Sequence, residues 1–120
     1  MEDQPPRLMV TRQNDVTVVE LMDQKILEEG SIAKIGEKLY ALVAAGAPSL
    51  VLDFAAVGYM SSSALGMLIT LNKRVREKDG RLWLCNIKPS IKEVFAITRL
   101  NEVFTICDSR QTALDDAAVS

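Results

Sequence analysis

Two short apolar runs, Leu50-Val51-Leu52-Asp53-Phe54 and Leu82-Trp83-Leu84-Cys85, limit what this chain can fold into more than any other feature. Neither alternates apolar with polar residues, so each reads as a strand covered on both faces, as in the middle of a parallel sheet. Parallel neighbours cannot be joined by a tight turn and need a crossover of about a dozen residues or more, usually a helix. The segments around the two runs supply such crossovers. From Ser31 to Ala45, Ile32, Ile35, Leu39, Leu42 and Val43 recur at spacings of three and four, with Lys34, Glu37 and Lys38 opposite. This predicts an amphipathic helix that Ser31 caps and Gly46 and Pro48 stop.

A second stripe, Leu65, Leu68, Ile69, Asn72 and Val75, predicts a helix that ends at Gly80 and turns Lys73, Arg74, Arg76 and Glu77 to water. Ser90-Ile91-Lys92-Glu93 has the spacing of a capping box and opens a third helix with Ile91, Val94, Phe95 and Thr98 inward. Val103 to Cys107 reads as a last strand and Ser109 to Ala118 as a terminal helix. At the other end, Leu8–Thr11 and Val16–Leu21 flank Arg12-Gln13-Asn14-Asp15 and read as an antiparallel hairpin. Residues 1–6 read as a flexible lead-in, and residues 7–118 as a single domain. The order β-β-α-β-α-β-α-β-α gives an α/β fold with a mixed, largely parallel sheet.

Several function classes fall away on composition. At 120 residues and 48% apolar content, one domain can bury a core unaided. Fourteen basic less sixteen acidic residues leave a net charge of −2 with no basic cluster, so neither nucleic acid nor a membrane surface is expected as a partner. Cys85 and Cys107 sit in apolar runs as small hydrophobes. With no C-x-x-C pair, no secretory leader and no apolar stretch near the roughly 20 residues of a membrane span, a cytoplasmic domain is expected. The chain has no histidine, which removes Ser-His and Cys-His nucleophiles and the imidazole ligands of most zinc sites. No G-x-G-x-x-G or P-loop spacing offers a nucleotide cradle. The expectation is therefore no enzyme, no metal and no cofactor.

The feature left unexplained is Met60-Ser61-Ser62-Ser63-Ala64-Leu65-Gly66, between a strand ending in Asp53 and the second helix. Ser61 or Ser62 can take the N-cap, which places Ser63 in the first turn. One cap accounts for one serine. A hydroxyl in the first turn is a favourable place for a phosphate, because free N–H groups and the positive end of the helix dipole meet it.

The stretch from Leu50 to Gly66 resembles the signature region of the STAS family of anti-sigma factor antagonists, in which a buried strand ending in Asp leads to Asp-Ser-Ser-Gly-Leu-Gly at a helix start. Element order, hairpin and length extend the resemblance over about residues 7–115. It implies a STAS-like fold with a mixed sheet of four to five strands, an N-terminal hairpin and about four helices. With Leu65 and Gly66 fixing the register, Ser63 falls on the phosphorylated serine, Ser62 on the one before it and Asp53 on the strand-closing aspartate. Ser61 stands where the family has Asp, and Ala64 where it has Gly. Asp53, Ser61, Ala64 and Gly66 are then the supports of the site. Serine caps as well as aspartate does; the alanine adds a methyl where a partner's backbone would approach.

The resemblance implies a switch by partner exchange: binding to an anti-sigma factor of the serine-kinase type, release on phosphorylation, and resetting by a serine phosphatase, all controlling sigma-factor-dependent transcription. Tyr59, Met60, Met67, Lys73 and Arg74 are candidate partner contacts, although Met67 reads equally as a core or boundary residue, and Lys73 and Arg74 read more simply as an ordinary solvated helix face. A scaffold module in a signalling assembly, without phospho-switching, is the alternative, and a weak homodimer stays open.

Overall fold

The computed structural model describes residues 7–13, 15–26, 28–46 and 49–119. The expected lead-in, Asn14 of the hairpin turn and Pro48 lie outside them. Strands β1 (Leu8–Gln13) and β2 (Val16–Leu21) form the expected hairpin, antiparallel and closed by the Gln13–Val16 pair. A two-residue strand, β3 (Lys25–Ile26), precedes helix α1 (Glu29–Ala44). Strand β4 (Leu50–Asp53), a second two-residue strand β5 (Tyr59–Met60) and helix α2 (Ser62–Glu77) follow. Then come β6 (Leu82–Cys85), α3 (Pro89–Ile97), a 3-10 turn over Leu100–Glu102, β7 (Thr105–Cys107) and α4 (Arg110–Ala118). The main sheet runs β1-β2-β4-β6-β7, parallel except for β1; β3 and β5 pair parallel in a small sheet of their own.

Strand alternation divides the interior in two. Val19, Leu21, Leu50, Leu52, Leu82 and Leu84 face the core shared with α1, α2 and α3. Val16, Val18, Val51, Trp83 and Cys85 face the other way, where α4 contributes Ala113, with Leu114 and Ala117 partly buried. This second face depends heavily on polar contacts. Trp83 donates its indole N–H to Asp116 of α4 at 2.7 Å, and the Arg81 guanidinium lies over the same ring at 4.9 Å.

Helices α1 and α2 pack closely where Gly36 meets Met67; a Cβ on Gly36 would come within 3.0 Å of Met67 Cγ. That contact seats Met67 in the buried face, and the expected stripe holds at Leu65, Leu68 and Val75. Ala64, Leu65, Met67, Leu68, Leu71 and Val75 are buried, whereas Ile69 is 44% exposed and Asn72 only half-buried.

Helix starts also differ from expectation. α1 begins before Ser31, with Glu29 in its first turn, and its N-cap Glu28 makes no side-chain cap bond. An acidic first turn stabilises a helix through the dipole without a hydroxyl. Pro89 takes the first position of α3, leaving Ser90 inside the helix and Lys88 at the N-cap, so the expected capping box does not form. Val94 faces solvent, as does Thr98, and Val103 precedes β7 rather than joining it. Asp79, not Gly80, takes the left-handed position after α2, and the Gly80 N–H closes onto the Val75 carbonyl at 2.9 Å. Among the described residues no helix is long and apolar enough to cross a membrane.

Candidate functional site

Ser61 is the N-cap of α2. Its backbone is extended, and its Oγ accepts from the Ala64 N–H at 3.3 Å. The Ser61 N–H itself donates to the Ile26 carbonyl at 3.1 Å, which ties the cap to the small β3–β5 sheet. With the cap filled, Ser62 and Ser63 occupy the first turn and both are exposed. Their N–H groups have no carbonyl four residues back within the helix to bond. The arrangement gives two free hydroxyls beside the positive helix end. Ser61→Ala is expected to cost about 1 kcal/mol in urea denaturation and Ser61→Asp close to nothing, since the two side chains cap alike.

Ala64 corrects one expectation. It is fully buried, so its methyl enters the core and does not obstruct an approaching partner. Gly66 faces outward with nothing within 4 Å of a Cβ placed on it. Met67 takes the core position rather than the partner contact: at 8% exposure it is wedged against α1, with its carbonyl accepting from the Tyr40 hydroxyl. Tyr59 is 56% exposed, with the Lys25 ammonium 5.7 Å from its ring centre, while Met60 is half-buried against the core. Lys73 and Arg74 are exposed on α2, and the Arg74 guanidinium stacks over Tyr40 at 4.5 Å. Lys73 lines an open cleft of about 400 Å³ with Ile69, Asn72, Arg76, Glu77 and Val103.

Asp53 contacts the loop that precedes the serines and bonds none of the serines themselves. The carboxylate is 4% exposed; one oxygen accepts from the Ala55 N–H at 2.9 Å and from Asn86 Nδ2 at 3.0 Å. The other accepts from Arg110 Nε at 2.9 Å and lies 2.8 Å from Arg110 Nη2 as an ion pair, while Nη2 donates to Glu20 at 3.0 Å. Burial lowers the Arg110 pKa, but its hydrogen bonds to Asp53 and Glu20 more than offset this and hold it above its ordinary value. Arg110, Glu20, Asn86 and Lys88 were not singled out by sequence reasoning. The signal for them is register: Glu20, Asp53 and Cys85 are paired neighbours at the carboxyl ends of adjacent strands, and Asn86 follows directly.

Cys85 is buried against this cluster with its thiol directed at the Leu52 carbonyl, 3.6 Å away. Burial first, and the Asp53 charge second, push its pKa up to about 12. Cys107 is half-buried and is raised as well, by burial and then by Asp116 and Asp108. Because the thiolate is the nucleophile, iodoacetamide at about pH 8 should modify native Cys107 slowly and leave Cys85 unmodified until the protein unfolds. Peptide mass mapping with and without urea reads this directly.

Residues 7–113 match the STAS domain family. A Bordetella bronchiseptica protein named as an anti-sigma factor antagonist, BtrV, is 31% identical over 90 residues, covering 75% of this chain and 78% of that protein. The solved anti-sigma-factor antagonist (STAS) domain protein of Planctomyces limnophilus superposes with a TM-score of 0.84 at 27% identity, over 92% of this chain and 97% of that one. The Bacillus cell fate determinant SpoIIAA, solved in its phosphorylated form, has the same fold at a TM-score of 0.71 and 18% identity, over 92% and 99% of the two chains.

Proposed function

The chain belongs to the STAS domain family, and from that membership we propose that it is an anti-sigma factor antagonist switched by phosphorylation of Ser63. Residues 7–118 act as one regulatory domain in the cytoplasm. The unphosphorylated domain binds an anti-sigma factor of the serine-kinase type and frees a sigma factor for transcription. The phosphorylated domain lets go, and a serine phosphatase restores it. The protein works by exchange of partners and not by catalysis.

The observation that carries this reading is the division of labour in the serine run: Ser61 holds the cap, and Ser62 and Ser63 are exposed in the first turn. A kinase can reach Ser63 without dismantling the helix, with Ser62 as the second choice. The added dianion meets the free N–H groups and the positive dipole end. The departure at position 61 leaves the cap in place, and the departure at 64 is directed into the core. The relationship to BtrV and to the Planctomyces limnophilus protein supports the kind of partner.

The test is incubation with an anti-sigma serine kinase of the same organism and ATP, read by intact mass. A gain of one phosphate that Ser63→Ala abolishes and Ser62→Ala preserves is expected. Stable binding without any phosphate would replace the switch with the scaffold reading, and absence of both would remove the proposal.

A further inference from the structure

The chain that enters α2 arrives through residues 54–58, which have no regular structure, and through the two residues of β5. Main-chain bonds hold one side of this approach: the Gly58 and Tyr59 N–H groups both donate to the Gln24 carbonyl, at 2.8 and 3.1 Å. On the other side the Phe54 N–H donates to the Cys85 carbonyl at 3.0 Å and the Val57 N–H closes a turn onto the Phe54 carbonyl at 2.9 Å, and side chains hold the rest. Asp53 takes the Ala55 N–H, and the Lys88 ammonium donates to the Ala55 carbonyl at 2.7 Å and to the Val57 carbonyl at 3.2 Å. Lys88 belongs to a distant element. It stands at the N-cap of α3, and its side chain makes no cap bond there, so its contacts with the loop are separable from helix formation.

We infer that Lys88 is a positioning residue for the serine switch: by gathering the Ala55 and Val57 carbonyls onto one ammonium, it sets the curl of the loop and hence the direction in which the first turn of α2 presents Ser62 and Ser63. This rests on the reading of Ser63 as the acceptor. An ammonium has three donors and can bond two carbonyls at once, and bonds from a charged donor are stronger than neutral ones. Carbonyls two residues apart that converge on one point fix the rotation of the peptide between them. Only β5 lies between Val57–Gly58 and Ser61, so little chain is left to absorb a change in that curl. A phosphoryl acceptor is sensitive to such changes, because transfer requires a near-attack geometry.

The test uses the full chain in three forms: native, Lys88→Met, which keeps the aliphatic stem, and Lys88→Arg, which restores a charged donor. Amide hydrogen exchange is expected to rise about tenfold from Gly58 to Ala64 in Lys88→Met and to return most of the way in Lys88→Arg, with α1 and β6 unchanged. In parallel, kcat for phosphorylation of Ser63 should fall about tenfold at constant KM, since position and not binding is altered. Unchanged exchange at 58–64 would overturn the inference. So would a uniform rise that includes α1, because that is loss of stability and not of aim. If exchange behaves as expected but the native chain takes no phosphate, the acceptor reading falls and the bracing of the loop stands.

Discussion

Replacing Arg110 by leucine is expected to remove about 3 kcal/mol of unfolding free energy and lower the midpoint of thermal unfolding by about 10 °C. The estimate follows from what the substitution leaves behind. Asp53 is almost wholly buried, and Arg110 supplies one of its three hydrogen bonds, a second close charged contact and the opposing charge. Stripping one partner from a buried pair costs about 3–5 kcal/mol because the other charge stays desolvated. Here the lower end applies, since the Ala55 N–H and Asn86 remain. Glu20 meets the same guanidinium from a quarter-exposed position, so Glu20→Gln should cost less than about 1 kcal/mol. Urea denaturation of both variants decides the matter: equal losses would mean that Asp53 is not the buried anion around which the cluster is organised.

The second large effect is on binding. A phosphate carries nearly two charges, and one partner carboxylate about 5 Å away across an interface of effective dielectric about 20 opposes it by several kcal/mol before screening. A net change of about 3 kcal/mol weakens binding more than a hundredfold. Phosphorylated protein should therefore bind its anti-sigma partner over a hundredfold more weakly than the native form. Ser63→Glu, with half the charge, should lose about tenfold, and Ser63→Ala almost nothing. Raising salt should narrow these gaps, because exposed charges are screened within about 10 Å at 0.1 M. Isothermal titration at two salt concentrations reads all three forms. An affinity untouched by the phosphate would remove the switch.

The sequence carries the frame of this molecule more clearly than its phases and its long-range contacts. The unalternating runs around Leu52 and Leu84 do lie in the middle of a parallel sheet, because nothing but two covered faces accommodates them. Ser61 as cap was within reach because a hydroxyl before an apolar stripe acts locally. The stripe holds at Leu65, Leu68 and Val75 and fails at Ile69 and Asn72. Period follows from spacing, but the edge of the buried face depends on the neighbour, and beside the close approach of Gly36 to Met67, Leu71 lies inward and Ile69 outward. The Ser90 capping box fails to form because Pro89 competes for the same helix start and fixes the backbone earlier. The pairing of Asp53 with Arg110 spans 57 positions, and no local pattern announces it. It exists only once strand register has brought Glu20, Asp53 and Asn86 to one end of the sheet. The Lys88 contacts with the loop are invisible for the same reason.

The single tryptophan makes one region of this protein optically addressable. Trp83 sits under α4, with its indole N–H bonded to Asp116 and its ring covered by Arg81. No second indole dilutes the signal, so the colour of the emitted light reports on the seat of the terminal helix alone. A ligand that closes over the serines, on the far side of the sheet, would leave that colour unchanged, while one that pries α4 loose would shift it to the red. The protein thus carries a native dye that tells an experimenter which of its two faces has been touched.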